Sequence, residues 1–353
     1  MEQTLPTRFF LGANSKCGFY SLYDSLSEPA AGDFLWVLKG GPGCGKSTFM
    51  KRIGAAAEAA GAPVEYVHCS GDPASLDAVR LPAQQIAYVD GTAPHIIEGM
   101  YPGAASLYLD LGSYFDAAAL SQHLDEIAAL NRQYKACYAD AYALLAAASA
   151  LLPKNAPSLW GAVQEDKLER RIAGFCAREL RRQNKKGKQT HRFPSAWSCE
   201  GYVSFAETLL TAAQRVYLLD NEAGLGHVYL AKLAAAATAQ GYDTLLCHDP
   251  LEPEKPEALF LPERSLLLMT DEAHKNIKIE DARHLRLDIL TAPGDRGSVR
   301  RRRRESEILL HSSVESLAAA KSLHDALEAI YHPHVDFSGV NALANDHIAW
   351  LFA

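Results

Sequence analysis

The chain has 353 residues, of which 48% are apolar, and its 35 Lys and Arg against 42 Asp and Glu leave a formal charge of −7. That length supports two domains with cores of their own, and the composition excludes a disordered, fibrous or disulfide-scaffold protein. The longest apolar run, residues 141–152, falls well short of the roughly 20 residues of a membrane span, so no membrane partner is expected.

In chain order, each half opens with a short aromatic hairpin-like entry. The apolar run Phe34–Lys39 has strand length, and a glycine-rich turn and a helix-competent stretch from Ser47 to Ala60 follow it. A second strand covers Val64–His68, and Gln85–Asp90 is an apolar strand ending on an acid. Residues 114–152 read as helices that close the first half, and 305–331 as a long helix in the second. Alternating strands and helices predict α/β domains with mostly parallel sheets.

The chain repeats itself. Gly61 and Gly241 end comparable Ala-rich stretches, and Val64–His68 matches Thr244–His248, Asp72-Pro73 matches Glu252-Pro253 and Leu81-Pro82 matches Leu261-Pro262, all 180 residues apart. Upstream, Arg8-Phe9 and Gly18–Ser21 are echoed by Arg192-Phe193 and Gly201–Ser204 at offsets of 184 and 183. The expected limits are 1–152, a basic connector over 153–190, and 191–353.

The residues Gly40, Gly41, Pro42, Gly43, Cys44, Gly45, Lys46, Ser47 and Thr48 satisfy G-x-x-x-x-G-K-[ST] between a predicted strand and a predicted helix. Glycines at this spacing let successive backbone N–H groups curl around an anion, the helix N-terminus adds positive potential, and a lysine reaches the β- and γ-phosphates. Ser47 and Asp90 are the expected ligands of Mg²⁺, and Lys46 and Asp90 the expected catalytic pair, with ATP as the nucleotide because no guanine-reading Asn-Lys-x-Asp motif is evident. Gly91 stands where many ATPases carry a water-orienting Glu. Asp72 and His95 follow consecutive strands and are weaker candidates, each set against a turn-forming role.

In the second half the matching loop is Asn221–Tyr229, with Gly224 and Gly226 in register with Gly43 and Gly45, but His227 replaces the lysine and Val228 the serine. It reads as a degenerate copy. The DEAH-like stretch Asp271–His274 lacks a working loop in its own half, which argues against a helicase.

Two segments are strongly basic: 167–192, with ten Lys or Arg against two Glu, and 296–304, with six Arg and no acid. Solvated faces explain them better than a nucleic-acid partner. Seven cysteines without a Cys-x-x-Cys pair fit reduced thiols, and the N-terminus lacks the features of a secretory signal, so a cytoplasmic location is expected.

The phosphate loop at 40–48, Phe10–Asn14 with Gly18–Ser21, His68–Ser70 with Asp72-Pro73, Ser75–Asp77, Asp90–His95 and Pro102–Ala104 together resemble a bacterial family of two-repeat P-loop NTPases regarded as ATPases. The resemblance continues to His324-Asp325 and Asp336-Phe337. It implies tandem P-loop NTPase-like domains of three-layer α/β/α architecture and nucleotide binding, with no defined substrate and an unknown small-molecule or protein partner. ATP hydrolysis is the leading expectation. A kinase that passes the γ-phosphate to a small molecule is the alternative, and a nucleotide-switched binding module the third.

Overall fold

The computed structural model describes residues 7–92, 96–273, 277, 279, 281–292 and 294–352. In the first half the strands are β1 (Thr7–Phe10), β2 (Gly12–Ser15), β3 (Gly18–Ser21), β4 (Phe34–Lys39), β5 (Glu65–His68), β6 (Leu76–Leu81), β7 (Ile86–Asp90) and β8 (Ser106–Asp110). Its helices are α1 (Lys46–Ala59), α2 (Ala117–Ser121) and α3 (Leu124–Leu151). After α4 (Glu165–Glu179) the second half carries β9 (Gln189–Arg192), β10 (Ser195–Ser198), β11 (Gly201–Ser204), β12 (Arg215–Leu219), β13 (Thr244–His248), β14 (Pro256–Leu261), β15 (Leu266–Thr270) and β16 (Arg283–Leu285). The helices there are α5 (Glu207–Ala212), α6 (Leu225–Ala239), α7 (Arg296–Tyr331) and α8 (Phe337–Phe352).

The protein is α/β, with two mostly parallel six-stranded sheets in two repeated halves. The strand orders are β1-β5-β6-β7-β4-β8 and β9-β13-β14-β15-β12-β16, the same sequence of elements in each half. Only β6 and β14 run against their neighbours. The reason is loop length: 69–75 and 82–85 are too short for the dozen or more residues of a parallel crossover. On one face of the first sheet lie α1 and α8. On the other, Leu11, Tyr23 and Leu26 pack against Leu35, Val37, Val67 and Val89, so the hairpin and its following turn stand where a helical layer was expected. In the second half the short α5 contributes Leu209 to the corresponding face.

A pseudo-twofold relates the halves. Phe10 and Phe193 exchange backbone hydrogen bonds, N to O, at 2.8 and 3.0 Å. Phe10 is paired with His68 in β5 and Arg192 with Cys247 in β13, so Phe10 corresponds to Phe193 and the entry segment keeps one offset of 183, rather than the 184 that pairing Arg8-Phe9 with Arg192-Phe193 suggests. Around this centre each hairpin reaches into the other half. Lys16 N donates to Leu251 O at 3.0 Å, and its counterpart Cys199 N to Gly71 O at 3.4 Å.

The helices are exchanged as well. The long α3 packs along α7, and the chain emerging from each crosses over. Leu168, Ile172 and Phe175 of α4 bury against Tyr229 and Leu233 of α6. Val340 and Ala344 of α8 bury against α1 residues Phe49, Met50 and Ile53. The limits 1–152 and 191–353 follow chain order, whereas packing places residues 337–352 in the core of the first half. Asp295 starts α7 by accepting from the N–H groups of Gly297 and Ser298, a cap worth about 1 kcal/mol.

His68 and His248 occupy matching positions at the ends of β5 and β13, and burial pushes both down to about 4, helped by Arg8 for the first and His191 for the second. The unfolded chain, with histidine near 6.5, therefore takes up protons that the fold resists, so stability is complete above about pH 6.5 and drains as pH falls toward 4. At about 1.4 kcal/mol per pH unit per histidine, urea unfolding at pH 5 is expected to show roughly 2–4 kcal/mol less stability than at pH 7. His68→Gln with His248→Gln should flatten that slope; an equally steep slope in the double variant would contradict this origin.

Candidate phosphate site

The loop between β4 and α1 carries the backbone that its glycines permit. Gly43 and Gly45 have φ of 67° and 90°, in the left-handed region that favours glycine. Gly45 is the residue from which α1 starts, so the first amides of the helix open toward the loop. Lys46 is nearly buried and folds back over the loop, with Nζ donating to Gly40 O at 3.1 Å and to Gly41 O at 2.8 Å and lying 3.7 Å from Asp90 Oδ2. The other Asp90 oxygen accepts from Thr92 N and Thr92 Oγ1 at 2.9 and 2.5 Å. Parallel pairing of β4 with β7 brings this acid, at the end of β7, beside the loop at the end of β4.

Ser47 Oγ accepts from Leu76 N at 2.9 Å, tying the first turn of α1 to the start of β6. Burial pushes the Cys44 thiol up against the pull of Lys46, so this is no activated thiol despite its place before a helix. The hydroxyl of Ser47 and the carboxylate of Asp90 are hard oxygen donors of the kind that suits Mg²⁺, and the glycine cradle beside them suits the phosphates that such an ion accompanies.

Asp72 is held in its own turn. It accepts from Ala74 N at 3.2 Å and Ser75 Oγ at 2.9 Å and faces Lys321 at 3.6 Å. His95 lies outside the described residues.

The second half contributes walls to this site that sequence reasoning missed. A Cβ on Gly43 would stand 3.3 Å from Glu328 O, and one on Gly41 would stand 3.1 Å from the Tyr331 ring, so the last turns of α7 rest on the loop. At the tip of the second hairpin, Cys199 and Glu200 bring ligand-type atoms within 4.8 Å of one from Asp72. The only sequence signal for Cys199 and Glu200 is the repeat, in which Lys16, the counterpart of Cys199, likewise meets the opposite half.

The corresponding loop of the second half is filled by protein groups. Lys154, just beyond α3, sends Nζ to within 3.0 Å of His227 Nε2, 2.9 Å of Asp249 Oδ2 and 3.3 Å of Glu252 Oε2. Asn221 Nδ2 lies 2.7 Å from the same His227 nitrogen and also donates to Glu272. Burial opposes the charge on Lys154, but Asp249, Glu272 and Glu252 outweigh it and raise the ammonium. Burial likewise opposes the charge on Asp249, which Lys154 and His227 keep ionised. The Asp288 carboxylate accepts from the loop amides of Glu222 and Ala223, both at 3.1 Å. Burial, then Glu272, Asp288 and Asp220, push Asp271 up to about 7.

Two amides of this loop are thus already bound to a carboxylate, and Glu222 and Glu272 lie close by. Glu272 and His227 both belong to this cluster, on Asn221. No described helix is long and apolar enough to cross a membrane. No protein-family model, no curated protein and no solved structure matches the chain.

Proposed function

We propose that the protein is a tandem P-loop NTPase-like protein that binds Mg-ATP in its first half and hydrolyses it, the second half serving as a regulatory or structural copy. The observation that carries this reading is the loop Gly40–Thr48 with Lys46 folded over it and Asp90 at 3.7 Å, set against a second loop whose amides already hold Asp288. The resemblance of the chain to two-repeat P-loop NTPases points the same way.

The loop amides and Lys46 would bind the β- and γ-phosphates and stabilise the charge that spreads over the γ-phosphoryl oxygens as water attacks phosphorus and the bond to the β–γ bridging oxygen breaks. Ser47 and Asp90 would hold Mg²⁺, which supplies charge neutralisation when bound. Because α7 carries Glu328 and Tyr331 onto the loop and Lys321 onto Asp72, and begins beside the second half, a change at the phosphates has a continuous path between the halves.

Phosphate release from ATP by purified protein, with no added acceptor, tests hydrolysis. Turnover that appears only with a small-molecule acceptor would replace it with the kinase reading, and tight binding with no turnover under either condition would replace it with a nucleotide-switched binding module.

A further inference from the structure

Between α4 and the stretch from β16 to the turn Asp288–Leu290 lies a groove of about 520 Å³. Arg170, Arg171, Arg178, His284 and Arg286 line it, and no acid does among the described residues. On α4 the spacing is regular. Arg170, Gly174 and Arg178 are four residues apart and share a face, and a Cβ on Gly174 would meet nothing within 4 Å, so the glycine leaves a gap between two guanidinium groups.

The buried rings of Phe175 and Tyr229 form the floor. All four arginines are exposed. Arg170 and Arg171 donate to backbone carbonyls, of Asp166 and Arg286, and among the described residues neither they nor Arg286 form an ion pair. Arg178 reaches Glu179 at 3.4 Å, but that carboxylate is bound more closely by Arg215, at 2.6 Å.

The architecture does not require this charge. The counterpart of α4 is α8, which packs on α1 as α4 packs on α6 and contains no Lys or Arg. One of two equivalent helices thus carries exposed guanidinium groups beside an open groove, of which Arg170 and Arg171 form no ion pair among the described residues and Arg178 shares Glu179 with Arg215. The groove also has a continuation. Asp288, between the lining residues Leu287 and Ile289, holds the amides of Glu222 and Ala223, and the Glu222 carboxylate pairs with Arg303 near the start of α7. Arg300, Arg301, Arg303 and Arg304 are exposed there. The two basic segments, distant in sequence, therefore flank the same acidic pair, Asp288 and Glu222, in the second half.

We propose that this groove, continued by the start of α7, binds the sugar–phosphate backbone of a single-stranded nucleic acid. A guanidinium fork matches the two free oxygens of a phosphodiester. A walled channel of this volume holds about one nucleotide unit at a time, and the arginines beyond it supply the charge that a longer chain of phosphates needs. Nothing in this binding depends on the loop at 40–48.

The test is fluorescence anisotropy of a labelled 20-nucleotide single strand at 50 and 200 mM KCl. Four phosphates neutralised in the groove alone make affinity fall about 50-fold across that range, and each further phosphate held by the start of α7 steepens the fall. The triple variant Arg170→Gln, Arg171→Gln and Arg286→Gln, checked for an unchanged thermal midpoint, should bind at least about tenfold more weakly at 50 mM, and with a shallower salt slope, because three of the counted contacts are gone. Arg300→Gln with Arg301→Gln and Arg304→Gln should reduce the slope further.

Absence of binding at 50 mM, or equal affinity in the folded triple variant, would overturn the proposal. So would inorganic tripolyphosphate binding at the groove while the oligonucleotide does not, since that would make it a site for a small polyanion.

Discussion

Lys46→Ala is expected to lower ATP turnover by about 100-fold or more, the usual cost of removing one preorganised charge donor from a transition-state site. The side chain is nearly buried, its ammonium lies on the carbonyls of Gly40 and Gly41, and no other described lysine or arginine is paired with Asp90. Alanine therefore leaves the γ-phosphoryl group without its fixed charge. Stability should change little, because the ion pair to Asp90 is long at 3.7 Å and the loop backbone is held by its glycines. Phosphate release compared between the two proteins at saturating ATP, alongside their thermal midpoints, separates lost chemistry from lost fold. A rate within twofold of the parent would remove the loop from the reaction.

Lys154→Met is expected to be the most destabilising single change in the second half, by about 3–5 kcal/mol, the range for removing one partner of a buried ion pair. The Lys154 side chain is 4% exposed and it compensates both Asp249 and Glu252, whose side chains are 11% and 0% exposed. Without it Asp249 is left with no ion pair among the described residues, beside Glu257, itself already pushed well up by burial and by Asp249, whereas Glu252 keeps Lys16 at 3.3 Å and Lys255 at 3.0 Å. The loss should shrink as pH is lowered from 7, because burial without Lys154 pushes Asp249 above the ordinary carboxylate range and protonation then removes the uncompensated charge. Urea unfolding of both proteins at pH 7 and pH 5 measures it. A loss under 1 kcal/mol at pH 7 would mean that water reaches the cluster and that it is no closed plug.

Much of the architecture was legible because duplication writes the same spacing twice. The 180-residue offset that joins Val64–His68 to Thr244–His248 is the offset of β5 and β13, and the run from Gly40 to Thr48 leads from the end of β4 into the first turn of α1 as its strand-loop-helix context requires. The direction of β6 was legible in principle, since a seven-residue loop after β5 permits only an antiparallel return.

What was hidden is what depends on the chain crossing between halves. Nothing near Lys154 in sequence marks it, because its partners Asp249 and Glu252 lie about a hundred residues away and it enters from the end of α3. Glu328 and Tyr331 sit on an ordinary helix and gain meaning only because α7 runs back to the first loop, as Lys321 does because it reaches Asp72. Asp288 was invisible for a related reason: an internal carboxylate on loop amides leaves no motif. The arginines of α4 read as a solvated face because periodicity cannot show that His284 of β16 and Arg286 just beyond it face them.

The central claim is one working phosphate loop per chain, and calorimetric titration with a non-hydrolysable ATP analogue and Mg²⁺ tests it most directly. One molecule bound per chain, with binding lost in Lys46→Ala, is the predicted result. Two molecules per chain, or binding that survives the substitution, would contradict it, because either would mean that the loop holding Asp288 opens to nucleotide after all.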